Sequence, residues 1–112
     1  MERIEPMRIT VDDKEYILEF NRATVKDAES KGFKREDIAD NLMTRIPELF
    51  YYAFKMHHPS ISQAKTDEIL FKDLEGLSGP ELDRLIDLFN APYGTLMNED
   101  GERKNPRVTV KL

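Results

Sequence analysis

A chain of 112 residues, 39% hydrophobic and 35% charged, makes one globular domain with a modest core and a polar exterior. Its net charge of −5 argues against sequence-independent binding to nucleic acid and against anionic membrane surfaces, which both call for surplus Lys and Arg. It has no cysteine, which excludes disulfides, thiolate metal sites and cysteine nucleophiles and suits a reducing cytoplasm.

Met1 to Pro6 is a charged lead-in without the charged-then-apolar pattern of a secretion signal, and no apolar run reaches membrane-spanning length. Arg8-Ile9-Thr10-Val11 and then part of Glu15 to Phe20 alternate polar and apolar residues. With Asp13-Lys14 as a two-residue loop, Val11 faces Tyr16, Ile9 faces Leu18 and Met7 faces Phe20. Those six side chains then share one face of a β-hairpin, which needs a helical partner because a lone hairpin is marginal in water.

Asn21 and Thr24 are both suited to cap a helix that runs to about Lys31, where Gly32 supplies a left-handed stop and Phe33 a closing contact. Arg35 to Met43 is a second helical pattern, with Ile38, Ala39, Leu42 and Met43 on one side. Pro47 predicts a kink near Arg45 or a fresh helix start, since proline disfavours a helical Ile46. From Pro47 to His58 the apolar stripe is Leu49, Phe50, Ala53, Phe54 and His57. His58-Pro59 ends that segment, and Ser60 with Gln63 has the spacing of a capping box. Ile61, Ala64, Ile69, Leu70 and Leu74 follow, and Gly76 breaks the run. Ser78-Gly79-Pro80-Glu81 starts the last helix, with Leu82, Leu85, Ile86 and Phe89 on its inner face and Pro92 at its close.

Asn98 to Pro106 is polar with Gly and Pro and reads as flexible. Val108, Val110 and Leu112 alternate again, as a strand added to the hairpin or as a mobile tail. The tail reading comes first, because chain ends are poorly ordered unless tied down. The expected architecture is α+β, mainly α. A hairpin packs on about four helices within residues 1–90, and a flexible tail covers 91–112, with the short strand as its other reading.

Chemistry is sparse. The only histidines are the adjacent His57 and His58, whose side chains diverge on a helix, and no His-Glu-x-x-His pattern exists. Either could serve as a general base only with an orienting carboxylate beside it. Asn98-Glu99-Asp100-Gly101 matches part of a calcium loop but lacks the regular ligands and the closing Glu. The glycines form no phosphate-binding loop, and the serines sit in no nucleophile elbow. The expectation is a non-enzyme without cofactor or metal.

The best candidate site is aromatic. Phe50, Tyr51, Tyr52 and Phe54 are four of the ten aromatic residues, packed into five consecutive positions. Successive helical residues turn by about 100°, so one buried stripe cannot take them all. Tyr51, Tyr52 and Met56 lie off the stripe and are the expected contacts for a partner helix, with Phe50 and Phe54 shaping the surface from beneath. The same patch could meet its own copy.

From Met7 to about Asn90 the chain resembles the tail assembly chaperones of long-tailed bacteriophages. Ile9-Thr10-Val11-Asp12-Asp13-Lys14-Glu15-Tyr16-Ile17-Leu18-Glu19-Phe20 looks like the family's opening: strand, tight turn, second strand. Asn21 to Gly32-Phe33 is similar to its first helix. Ile46 to Phe54, followed by His57-His58-Pro59, resembles its aromatic-rich helix and His-Pro-like turn. The resemblance implies a non-catalytic cytoplasmic protein that binds the helical, aggregation-prone tape measure protein and is absent from the finished particle. It also implies that a frameshifted longer form can recruit tail tube protein. Against it stand a small phage head–tail or virion component, a general protein–protein adaptor, and a small metal-assisted or acid–base enzyme using His57.

Overall fold

The computed structural model describes residues 4–97 and 105–112. Most of the polar stretch Asn98 to Pro106, including the calcium-loop-like Asn98 to Gly101, lies outside them, as do the first three residues of the lead-in.

The N-terminal hairpin pairs β1 (Met7–Val11) with β2 (Lys14–Leu18), antiparallel. Its loop is Asp12-Asp13, one residue earlier than the spacing predicts, and both residues are left-handed, with φ of 49° and 67°. That conformation gives the tight turn whose twist matches a hairpin, and Asp is among the few non-glycine residues that adopt it routinely. Met7 therefore pairs with Leu18, Ile9 with Tyr16 and Val11 with Lys14. The register has slid by two residues from the expected one. Because the side-chain period is also two, the inner face is unchanged. Ile9, Tyr16, Leu18 and Phe20 are buried on it, with Met7 and Val11 half-buried.

Helix α1 (Arg22–Ser30) starts at a reciprocal cap. The Asn21 side chain accepts from the Thr24 N–H, and the Thr24 hydroxyl accepts from the Asn21 N–H. It stops where Gly32 turns left-handed (φ 96°) and Phe33 donates back to the Ala28 carbonyl at 3.0 Å.

The next stretch departs from the expected helix. Only Arg35–Asp37 forms a short 3-10 turn, and Asn41 bonds back to the Asp37 carbonyl. Helix α2 (Leu42–Phe54) begins after it and carries Pro47 in its interior. The chain thus breaks before Leu42, not at Pro47. Proline removes one bond, to the Met43 carbonyl four residues back. Met43 is 85% exposed at the helix start, where water can solvate that carbonyl, while the Pro47 ring is buried.

Helix α3 (Gln63–Glu68) is capped by Ser62 rather than Ser60, and runs into a π-helical turn, Ile69–Asp73. Helix α4 (Gly79–Asn90) opens on the capping box of Ser78 and Glu81. Ala91–Thr95 continues as a 3-10 turn that packs on the body. Pro92 is buried, the Tyr93 hydroxyl donates to Glu29 at 2.6 Å, and the Arg35 guanidinium lies over the Tyr93 ring. The folded body therefore extends past residue 90. Beyond residue 104 the described chain forms no strand, and the sheet among described residues has two strands.

Helix α2 is the centre. It touches β2, α1, α3 and α4. Phe54 packs edge-on to Tyr16 (centroids 5.5 Å) and to Phe50 (5.0 Å), while Phe89 of α4 meets Phe20 (5.1 Å) and Phe33 (5.0 Å). These edge-to-face contacts add about 0.5–1.5 kcal/mol per pair to the burial of the rings.

Candidate functional site

The aromatic cluster divides. Phe50 and Phe54 are fully buried, and Tyr52 is only 7% exposed, so its ring belongs to the core and not to a free surface. Burial pushes the Tyr52 phenol up from its ordinary range. The reason is tertiary. Helix α2 is enclosed on several sides, so a position off the main stripe is covered too. Tyr51 is half-buried and lies 5.0 Å from Tyr52 ring to ring, with the Lys55 ammonium donating to its hydroxyl at 3.3 Å. Met56 is 36% exposed. What remains accessible of the expected patch is one side of Tyr51 and the Met56 side chain.

A second apolar surface lies at the other end of α2. Leu42, Met43, Ile46 and Pro47 form one wall, Leu70 and Phe71 of the π-turn a second, and Gly76, Leu77 and Leu82 the third. They enclose an open groove of about 200 Å³. Met43 is 85% exposed, Phe71 56% and Leu42 51%. Leu42 also lines a second hollow that continues along Ile38, Ala39 and Ile86 to a polar rim of Arg35, Glu36 and Asn90.

The local sequence builds this groove. The π-turn, closed by the Leu74 N–H to the Ile69 carbonyl, buries Ile69 and Leu70 side by side and turns Phe71 outward. Glu75 and Gly76 are both left-handed (φ 58° and 98°), and the Gly76 N–H returns to the Leu70 carbonyl at 2.9 Å. That sharp reversal lets Leu77 and Leu82 line the same groove as Phe71. Fully covering a side chain such as Phe71 or Met43 is worth about 1.5–3 kcal/mol, so an apolar segment laid here has several anchors. Leu42 and Met43 stand out in the sequence, but as an inner face of a helix that does not form. The signal for Phe71 is the run Ile69-Leu70-Phe71, since three successive helical residues cannot all point inward.

The histidines have separate partners. His57 Nε2 lies 2.9 Å from Glu19 Oε1, a pairing that orients the ring. His58 Nε2 accepts the Ile17 N–H at 3.0 Å. Burial, and then the charges of His57 and Lys14, hold the His58 imidazole below its ordinary pKa. His58 lines a hollow with Lys14, Tyr16, Ser60 and Lys65, but its acceptor nitrogen is already used. Among the described residues no three His, Asp or Glu side chains gather as a metal site, and no helix is long and apolar enough to cross a membrane.

A family profile described as "Domain of unknown function (DUF5055)" matches residues 3–112. The chain belongs to this family. No curated protein and no solved structure matches the chain. Membership covers the hairpin, helices α1 to α4 and the last segment, so the groove walls lie within the family's domain.

Proposed function

We propose that this chain is a non-catalytic phage tail assembly chaperone that holds an amphipathic helical segment of the tape measure protein in the groove between α2, the π-turn and α4. The observation that carries the proposal is the open apolar groove itself, with Met43, Phe71 and Leu42 largely exposed beside the buried core. Contiguous exposed apolar surface costs solubility and marks a surface meant to be covered. Leu and Met walls suit varied apolar helices, because an unbranched thioether adapts to different shapes. A chain net charge of −5 keeps the loaded complex soluble. The resemblance of the hairpin and of Ile46 to Pro59 to tail assembly chaperones supplies the identity of the client.

In this reading Tyr51 and Met56 extend the contact along α2, and Phe50, Tyr52 and Phe54 support it from the core. The work is done in the host cytoplasm, and a frameshifted longer form would bring in tail tube protein. The test is co-expression with the tape measure protein encoded alongside this chain. The proposal expects the client to move from the pellet to a soluble complex containing both proteins. A client that stays in the pellet at every expression ratio would overturn it.

A further inference from the structure

The hairpin has two edges, and they differ. On β2 the outward N–H of Ile17 donates to His58 Nε2 at 3.0 Å, and just past the strand the Glu19 N–H donates to the Ala53 carbonyl at 2.9 Å. The C-terminal end of α2 and His58 just beyond it close that edge. On β1 the outward groups belong to Arg8 and Thr10, because Val11 and Lys14 form the hydrogen-bonded pair next to the turn and such pairs alternate along the ladder. Among the described residues, the backbone groups of Arg8 and Thr10 make no backbone hydrogen bond outside the hairpin, and β1 has no helix packed on it to the extent that α2 packs on β2. An open edge on a two-stranded sheet is a template for another strand.

The same chain carries a segment with the matching pattern. Arg107, Thr109 and Lys111 alternate with Val108, Val110 and Leu112, and the central three, Val108, Thr109 and Val110, are β-branched. The three apolar members are exposed. A turn leads into the segment, with the Val108 N–H on the Asn105 carbonyl at 3.1 Å and the Arg107 N–H on Asn105 Oδ1 at 3.0 Å. Added beside β1 with its polar side outward, the segment sets Val108, Val110 and Leu112 on the face of Met7, Ile9 and Val11, where Met7 and Val11 are only half-buried. Charge favours the same meeting. Residues 103–112 hold four basic side chains and no acidic one, so within a net charge of −5 they carry +4 and the rest carries −9. In the structure the segment forms no strand with its own β1.

We propose that Val108–Leu112 of one copy adds as a third strand to the open β1 edge of a second copy, and that reciprocal exchange closes a dimer. Two equivalent exchanges pair both β1 edges and close the assembly at two copies, as a two-fold arrangement requires. This inference does not rest on the client reading.

Two substitutions in the full chain separate donor from acceptor. Thr10→Pro removes an N–H that only the incoming strand uses, at an edge position where proline is tolerated. Val110→Pro spoils the donor strand in an exposed segment, so it leaves the folded body untouched. Sedimentation equilibrium is run from about 1 µM to about 1 mM, the range in which small interfaces half-assemble. Wild type is expected to shift from monomer to dimer, and each variant to stay monomeric. An equimolar mixture of the two regains a weaker dimer, because one supplies the strand and the other the edge. A wild type that is monomeric throughout overturns the proposal, as does a dimer unaffected by Val110→Pro. Protection of the Thr10 amide from hydrogen exchange in a monomer, lost in Val110→Pro, would put the segment on its own edge and also overturn it.

Discussion

Replacing His58 with Phe separates two roles of one ring. The imidazole packs on Tyr16 (centroids 5.2 Å) and Phe54 (6.2 Å), and its Nε2 accepts the Ile17 N–H at 3.0 Å. Phenylalanine keeps the ring contacts and removes the acceptor. An orphaned buried donor costs about 1–3 kcal/mol, and the half-buried setting of Ile17 puts this one near 1 kcal/mol. For a domain near this size that lowers Tm by roughly 4–8 °C.

A pH dependence goes with it. The folded-state pKa of His58 lies below the usual 6.5, first through burial and then through His57 and Lys14. A pKa lowered by folding means that the stabilisation is complete above the unfolded value. It is lost as pH falls through the folded one. The chemistry agrees, because an imidazolium has an N–H on both nitrogens and cannot accept from Ile17. Lys65 lines the same hollow, and its charge also opposes one there. The His57–Glu19 pair is common to both proteins and cancels in the comparison. Urea unfolding followed by circular dichroism at about pH 7.5, 6.5 and 5.5 is the assay. Wild type should lose more stability on acidification than His58→Phe. A variant as stable as wild type at about pH 7.5, or with the same loss on acidification, would refute the assignment of the Ile17–His58 bond.

Three further outcomes are expected. Ser78→Ala removes the accepting hydroxyl of the α4 capping box and should cost about 0.5–2 kcal/mol in the same unfolding assay. Tyr52→Ala should destabilise by about 3 kcal/mol or more, as for other buried aromatic truncations. Tyr51→Ala should leave stability within about 1 kcal/mol of wild type and act only on client binding. Finally, intact-mass analysis of products of the native gene, with its downstream DNA in place, should find a minor longer species sharing this N-terminus. A single species would weigh against a frameshifted tube-recruiting form.

The parts of the fold that are legible in the sequence are those fixed within a few residues. Asn21 with Thr24, Ser78 with Glu81, and Gly32 before Phe33 define their helix ends locally, and the structure has each of them. The hairpin face was readable despite a misplaced turn, because a two-residue slide keeps side-chain parity. What depends on distant packing was not readable. Proline rules disfavour a helix through Pro47, yet burial of its ring and a solvated helix start let α2 pass through it. Ser62 rather than Ser60 caps α3, although both lie within reach of the same turn. Tyr52 looks peripheral on a helical wheel, and only the enclosure of α2 buries it. The groove needs the start of α2, the π-turn and the Gly76 reversal in one place, and no local pattern states that meeting.

The central claim is that the groove holds the client, and its most direct test adds charge there. Met43→Glu combined with Phe71→Glu changes two side chains that are 85% and 56% exposed, so the fold should survive and circular dichroism can verify it. Co-expressed with the tape measure protein, the wild-type chain should keep the client soluble and copurify with it, while the double variant should leave it in the pellet. Equal recovery of soluble client with the folded double variant would contradict the account.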